Sequence, residues 1–352
     1  MKKIVLCLSA SVLVFSASAQ QRVPLLEVFT SSTCPPCKPG NTNLANVLAA
    51  HQPSEYVVIK YQQNFPGTGD PYATNETVNR RNAYSINSIP RMEVDGGWDE
   101  NAQLFTESLY TAAKAVPAEY NISGSYSVSG KIVTANVNYS VLTTVPAGAK
   151  LFVAITEKET IKNKKTNGET KFEDVMKKMM PSESGTQITE ITAGQSGSKS
   201  LSFTFAGDYR LPANGSTANH INDQTENSVE DFANLQVVAW IQGADKKVYQ
   251  AGNLSKGVTG IKNVSNSIGE FKMYPNPANS FINLNVAMKA SDKVTVNLYD
   301  LKGALVSTST SDLLVGDRTV TVNTSNLASG MYSCVVFDSQ NNSFSKMVSI
   351  SH

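Results

Sequence analysis

The period of the hydrophobic positions changes along the chain. Leu25 to Phe29 is a short apolar run that passes into Thr30-Ser31-Ser32-Thr33, and Tyr56 to Tyr61 is a second such run. Between them Leu44, Val47 and Leu48 recur at helical spacing, and further on Leu104, Phe105, Leu109 and Ala112 do the same. The pattern predicts a strand at 25–29, a helix over 44–50, a strand at 56–61, a polar helix over 72–84, a short strand and turn at 91–97, and a helix over 101–115. Strands alternating with helices indicate an α/β layer over residues 20–116.

Beyond residue 117 the period shortens. Alternation at 121–130, 131–142, 149–156, 198–205 and 235–240, with Lys247-Val248-Tyr249-Gln250 after a Gly243-Ala244-Asp245 turn, predicts a β-sandwich over 117–256. Lys171 to Met180 reads as a helical insertion ending at Pro181, and 214–230 as polar loop. Met176, Met179, Met180 and Trp240 are expected to be buried. Residues 257–271 are small and polar, as a linker is. Alternation then returns at Phe281 to Val286, Val294 to Tyr299, Thr319 to Val322, Met331 to Phe337 and Phe344 to Ile350, which predicts an Ig-like β-sandwich over 272–352. The fold class expected is therefore α/β plus all-β.

The first residues read differently. Met1-Lys2-Lys3, the apolar Ile4 to Phe15 and Ala17-Ser18-Ala19 form a secretory signal peptide, residues 1–19, with Cys7 removed inside it. No later stretch is apolar enough for a membrane-spanning helix. The chain carries 30 basic and 29 acidic residues, and loss of Lys2 and Lys3 leaves it near neutral, which argues against nucleic acid as a partner. Three scattered histidines, His51, His220 and His352, make a zinc site unexpected, and no cofactor is expected.

Cys34, Cys37 and Cys334 remain in the mature chain. Cys34-Pro35-Pro36-Cys37 falls where a strand ends and a helix begins. A helix start offers free N–H groups and partial positive charge, which favour a thiolate. Cys34 is then the attacking thiolate and Cys37 the resolving thiol, and exchange requires Cys34 to be accessible. A static disulfide is the competing reading, and metal binding a minor one, since two sulfurs leave a zinc site half-filled. Pro39 is expected to kink the helix, with Asn41 or Thr42 capping a restart. Cys334, on a strand of the last sandwich, is expected to be buried.

Glu27 to Cys37, Arg81-Asn82-Ala83-Tyr84 and Ile89 to Gly96 together resemble the outer-membrane-protein-28-related family. The resemblance covers about residues 20–258 and implies a thioredoxin-like domain followed by a β-rich one. It also implies a cis-proline at Pro90 beside the cysteines, with Ile89 offering its backbone to a substrate chain. Thr33 departs from the tryptophan that many active thioredoxins place before the first cysteine. Glu27 is the one nearby candidate for an acid serving Cys37, and a shift of one residue along the strand would turn it to the opposite face.

Tyr274-Pro275-Asn276-Pro277, Tyr299-Asp300-Leu301-Lys302-Gly303, Leu327-Ala328-Ser329-Gly330-Met331-Tyr332 and the strand from Lys346 to Ile350 resemble the C-terminal sorting domain of the type IX secretion system. That resemblance implies export to the outer-membrane surface or beyond in a Gram-negative bacterium, with the secretion machinery as a partner. Two functions follow as expectations. One is thiol–disulfide exchange on extracytoplasmic protein thiols or disulfides through Cys34 and Cys37. The other is a non-enzymatic surface binding or adhesion protein built on the same scaffold.

Overall fold

The computed structural model describes residues 21–256, 267–300, 305–339 and 343–352. The signal peptide, residues 257–266 of the linker and Leu301-Lys302-Gly303 of the sorting motif lie outside them. The chain divides into two units at residues 257 and 258.

The first unit begins with β1 (Leu25–Thr30), α1 (Cys37–Leu48), β2 (Val57–Gln62), α2 (Asn75–Ala83), β3 (Arg91–Val94), β4 (Trp98–Glu100) and α3 (Glu107–Ala115). β1 and β2 run parallel, in register from Leu25 opposite Val57 to Thr30 opposite Gln62. β3 is antiparallel to β1. Cys37, Asn41, Leu44 and Leu48 are buried along one stripe of α1. They cover the sheet face that carries Leu26, Val28, Val58 and Met92. Burying a side chain such as Leu44 contributes roughly 1.5–3 kcal/mol.

Pro39 does not kink α1, contrary to expectation. The helix starts at Cys37, so Pro39 lies in its first turn, where an N–H has no intrahelical partner to lose. The single helix expected over 101–115 is also divided. The Asn101 side chain caps a short turn, and Thr106 accepts from the Leu109 N–H to start α3 anew.

The remaining strands of the unit are β5 (Tyr120–Ser129), β6 (Ile132–Val141), β7 (Lys150–Thr160), β8 (Phe172–Met180), β9 (Thr186–Gln187), β10 (Ser196–Thr204), β11 (Asp208–Tyr209), β12 (Glu226–Asn227), β13 (Leu235–Gln242), β14 (Val248–Asn253) and β15 (Ser255–Lys256). The helical insertion expected at 171–180 is strand β8. It lies between β7 and β2, and that place in the sheet overrides the helical preference of its Met, Lys and Glu residues. Met176, Met179, Met180 and Trp240 are buried.

One sheet runs in the order β14-β13-β7-β8-β2-β1-β3-β4, with β9 on β7. A second, β10-β6-β5-β15, packs on its β7–β13 half through Val133, Val137, Tyr139, Val153, Ile155 and Val237. Two facing layers are therefore present, but one of them continues the sheet of the α/β region. A boundary at 116/117 cuts across that shared sheet, so the middle region is not a separate sandwich.

The second unit holds β16 (Ile268–Tyr274), β17 (Phe281–Met288), β18 (Asp292–Tyr299), β19 (Leu305–Leu313), β20 (Gly316–Asn323), β21 (Gly330–Phe337) and β22 (Ser343–Ile350). Sheets β16-β17-β20 and β19-β18-β21-β22 enclose Leu284, Val286, Val296, Leu298, Val322, Cys334 and Val348. β16 takes in Ile268 and Phe271, so the last residues assigned to the linker belong to this core.

Candidate functional site

β1 ends at Thr30, and the chain turns through Ser31-Ser32-Thr33 before α1. The Cys34 N–H donates to the Ser31 carbonyl and the Cys37 N–H to the Cys34 carbonyl, each at 3.0 Å. Cys34 and Cys37 are joined in a disulfide, with Cα atoms 5.3 Å apart. α1 carries no acidic side chain of its own in its first turn.

Ile89–Pro90 is a cis peptide. The Cys34 sulfur lies 3.8 Å from the Ile89 carbonyl oxygen. Pro90 packs against α1 at Gly40, where an added Cβ would stand 3.3 Å from Ala102 Cβ and 3.5 Å from Pro90 Cβ. The absence of a side chain at residue 40 lets helix and proline approach this closely. The structure thus brings Cys34, Cys37, Ile89 and Pro90 together.

Accessibility differs from expectation. Cys34 is 1% exposed and Cys37 0%, while Pro35 and Pro36 stand outside. Contacts distant in sequence hold the turn and the start of α1 in place. The Asn167 N–H donates to the Ser32 carbonyl at 2.9 Å and its side-chain amide to the Ser31 carbonyl at 3.1 Å. Lys38 Nζ donates to the Gly168 carbonyl at 2.9 Å, Thr33 Oγ1 to the Pro66 carbonyl at 2.8 Å, and Gln103 Nε2 to the Pro36 carbonyl at 3.2 Å. Asn41 Nδ2 bridges Thr30 Oγ1 and Glu169 Oε1.

Asp70 anchors the turn from behind. Its carboxylate accepts from the Ser32 N–H at 2.9 Å, the Tyr72 N–H at 2.8 Å and the Asn163 amide. Burial nevertheless pushes its carboxyl above the usual range, against those hydrogen bonds. Sequence reasoning did not find Asp70, Asn163, Asn167 or Glu169. The only signal was the polar, Gly-containing stretch Asn163 to Thr170, which became the loop between β7 and β8.

Glu27 does not serve Cys37. It lies on the sheet face opposite α1, where its carboxylate accepts from Arg80 Nε at 2.7 Å, Arg80 Nη2 at 2.9 Å, Tyr61 OH at 2.8 Å and Tyr84 OH at 2.6 Å. The Arg80 guanidinium also stacks on Tyr84, Phe152 and Trp240 at 4.8, 5.0 and 5.4 Å. Burial opposes its charge, but Glu27 and the two tyrosines outweigh that and raise its pKa. Glu27 is a structural ion pair. Position 28, whose side chain faces α1, holds a valine.

Among the described residues no group of three or more His, Cys, Asp or Glu is arranged to hold a metal ion, and no helix is long and apolar enough to cross a membrane.

The family model described as secretion system C-terminal sorting domain matches residues 272–350. No curated protein matches the sequence. Protein AGR_C_4864 from Agrobacterium tumefaciens is similar in structure, at 16% identity and a TM-score of 0.42, over 69% of this chain and 99% of that one. Dimeric latent PorU from Porphyromonas gingivalis is similar at 8% identity and a TM-score of 0.23, over 78% of this chain and 37% of that one. The chain is therefore a protein of the type IX secretion route, delivered to the cell surface or released, and its C-terminal unit is the sorting domain.

Proposed function

We propose that the first unit is a thioredoxin-like thiol–disulfide exchange protein acting on extracytoplasmic protein thiols or disulfides, with Cys34 and Cys37 as its reacting pair. The observation that carries this reading is the Cys34 sulfur at the start of α1, 3.8 Å from the Ile89 carbonyl. The Ile89–Pro90 segment supplies backbone groups to a substrate chain beside the sulfur that would be attacked.

Exchange then follows ordinary thiol chemistry. A substrate thiolate attacks Cys34 Sγ, a mixed disulfide forms, and Cys37 leaves as the thiolate. A second substrate thiolate displaces Cys34, leaving the substrate disulfide and the reduced pair. The same steps in reverse reduce a substrate disulfide. The positive end of α1 favours the thiolates formed in either direction.

The buried sulfur must first be uncovered. The contacts Lys38–Gly168, Thr33–Pro66 and Gln103–Pro36 are exposed hydrogen bonds. Each contributes about 0.5–1.5 kcal/mol, so local opening is cheap beside global unfolding. The burial of Cys34 also favours a second reading, a static disulfide in a surface binding protein.

Insulin reduction in the presence of dithiothreitol separates the two. The exchange reading expects turnover above dithiothreitol alone, abolished in Cys34→Ser. Equal rates with and without the protein would support the static disulfide.

A further inference from the structure

The loop between β7 and β8, residues 161–171, is tied to the cysteine turn at two points. Asn163 is buried and donates to the Asp70 carboxylate, which also accepts from the Ser32 N–H. Asn167 is buried and donates to the carbonyls of Ser31 and Ser32. Lys164, Lys165 and Thr166 form the exposed span between these anchors. Lys165 is two residues from each of them, so its Cα stands within about 7 Å of both anchored Cα atoms.

The charges around the cysteine site divide by side. On the loop side are Lys38, Lys164, Lys165 and Arg81. Lys38 and Lys165 donate to the carbonyls of Gly168 and Ala213. The Arg81 guanidinium lies 4.9 Å over the Phe65 ring, next to the Pro66 carbonyl that accepts from Thr33. Among the described residues no acid forms an ion pair with any of these cations. The acids on this side are Glu169, which accepts from the Asn41 and Asn167 amides, and Asp70, buried beneath the turn. Lys162 and Glu230 offset each other, the carboxylate accepting from the Lys162 N–H at 2.8 Å. The loop side is therefore positive at its surface.

The Pro90 side has the opposite balance. Arg91 pairs with Asp99, and Glu100 lies 3.7 Å from the same guanidinium, so two acids share one cation. A chain laid over Cys34 from the Pro90 edge to the loop meets a weakly negative rim and then a positive one. Carboxylates at the loop end are drawn in and lysines repelled. Rim charges of this kind act mainly on the rate of encounter, and salt screens them. A carboxylate beside a thiol also disfavours its thiolate, and cations across the contact offset that penalty.

We propose that the protein selects substrate cysteines with acidic residues on one flank, the flank that crosses the β7–β8 loop, and that Lys164 and Lys165 are the residues that select them. The proposal rests on the exchange reading and adds the class of substrate to it. Lys38 contributes charge as well, but its bond to Gly168 also holds the loop, so the test leaves it in place.

The test uses the mature chain with Cys37→Ser and its Cys34 capped as the mixed disulfide with 2-nitro-5-thiobenzoate. Reduced peptides carry two aspartates or two lysines, before or after a single cysteine, and release of the coloured thiolate gives the rate. Each rate is divided by that of the same peptide with the same cap on 2-mercaptoethanol, which removes the effect of the flanks on the peptide's own thiol. One aspartate peptide should exceed its lysine counterpart about three- to tenfold, and about 0.5 M sodium chloride should abolish the difference. Lys164→Glu with Lys165→Glu should abolish or reverse it. Lys131→Glu, the same charge change at the turn between β5 and β6, should not. Equal rates, faster lysine peptides, or an aspartate preference that survives the double substitution would overturn the proposal and leave the exchange reading standing. Failure of every peptide to release the cap would overturn both.

Discussion

The two units bury different chemistry beneath their sheets. The first encloses ion pairs, Glu27 with Arg80 and Lys177 with Glu157, together with the carboxyl groups of Glu93 and Asp95. The second packs mainly Val, Leu and Ile around a free thiol, Cys334. Burial by itself separates neither the units nor their cysteines, since Cys34 is 1% and Cys334 0% exposed. The surroundings do. Cys334 sits among hydrocarbon, and burial raises its pKa to about 12. Cys34 sits in a polar turn against a carbonyl oxygen and a helix start. A sorting domain needs only to fold and be recognised, and an apolar core is enough for that. The first unit maintains buried charge, which is costly to fold and is characteristic of a region arranged around a site.

The comparison is most sharply strained by Arg80→Met. Removing the guanidinium leaves Glu27 buried and uncompensated, a loss of about 3–5 kcal/mol. Both tryptophans, Trp98 and Trp240, belong to the first unit. Tryptophan fluorescence during urea unfolding therefore follows that unit alone and should show the loss. In the second unit Cys334→Ser places a hydroxyl among apolar side chains, and circular dichroism should record a loss of about 1–3 kcal/mol while the tryptophan transition stays in place.

A pH series extends the contrast. Glu93 is 3% exposed, and burial, with Asp99 and Glu27 nearby, pushes its carboxyl up to about 8. The folded unit keeps this proton up to about pH 8, whereas the unfolded chain releases it near the ordinary carboxyl value of 4.5. Unfolding between those values releases a proton, so the contribution of Glu93 to stability falls as pH rises through that window. Glu93→Gln should flatten the decline in the tryptophan transition. The smallest expected effect is at the rim of the cysteine site. Lys38→Ala removes one exposed hydrogen bond to Gly168 and should raise the rate of insulin reduction about two- to fivefold by easing the opening.

Much of this architecture was legible in the sequence where the period was clean. Val294, Val296 and Leu298 alternate in the sequence and face one core in the structure. The Cys34–Cys37 pair was placed correctly at a strand–helix junction because both elements are local. What the sequence hid depends on distant pairing. Phe172 to Met180 carries residues suited to a helix, and only its neighbours β7 and β2 make it a strand. The face taken by Glu27 was decided by Arg80, Tyr61 and Tyr84. The turn that carries Cys34 is held by Pro66 and by the loop carrying Asn167 and Gly168, and no local pattern around the cysteines announces those contacts.

The exchange reading requires that the buried sulfur at Cys34 be reached by another protein's thiol. Trapping measures this directly. Cys37→Ser, incubated with reduced and oxidised protein substrates and then acid-quenched, should accumulate a mixed disulfide that mass spectrometry maps to Cys34, and Cys34→Ser should accumulate none. Recovery of the Cys37→Ser variant with its Cys34 thiol unmodified, while control thioredoxin substrates remain reactive, would contradict the account.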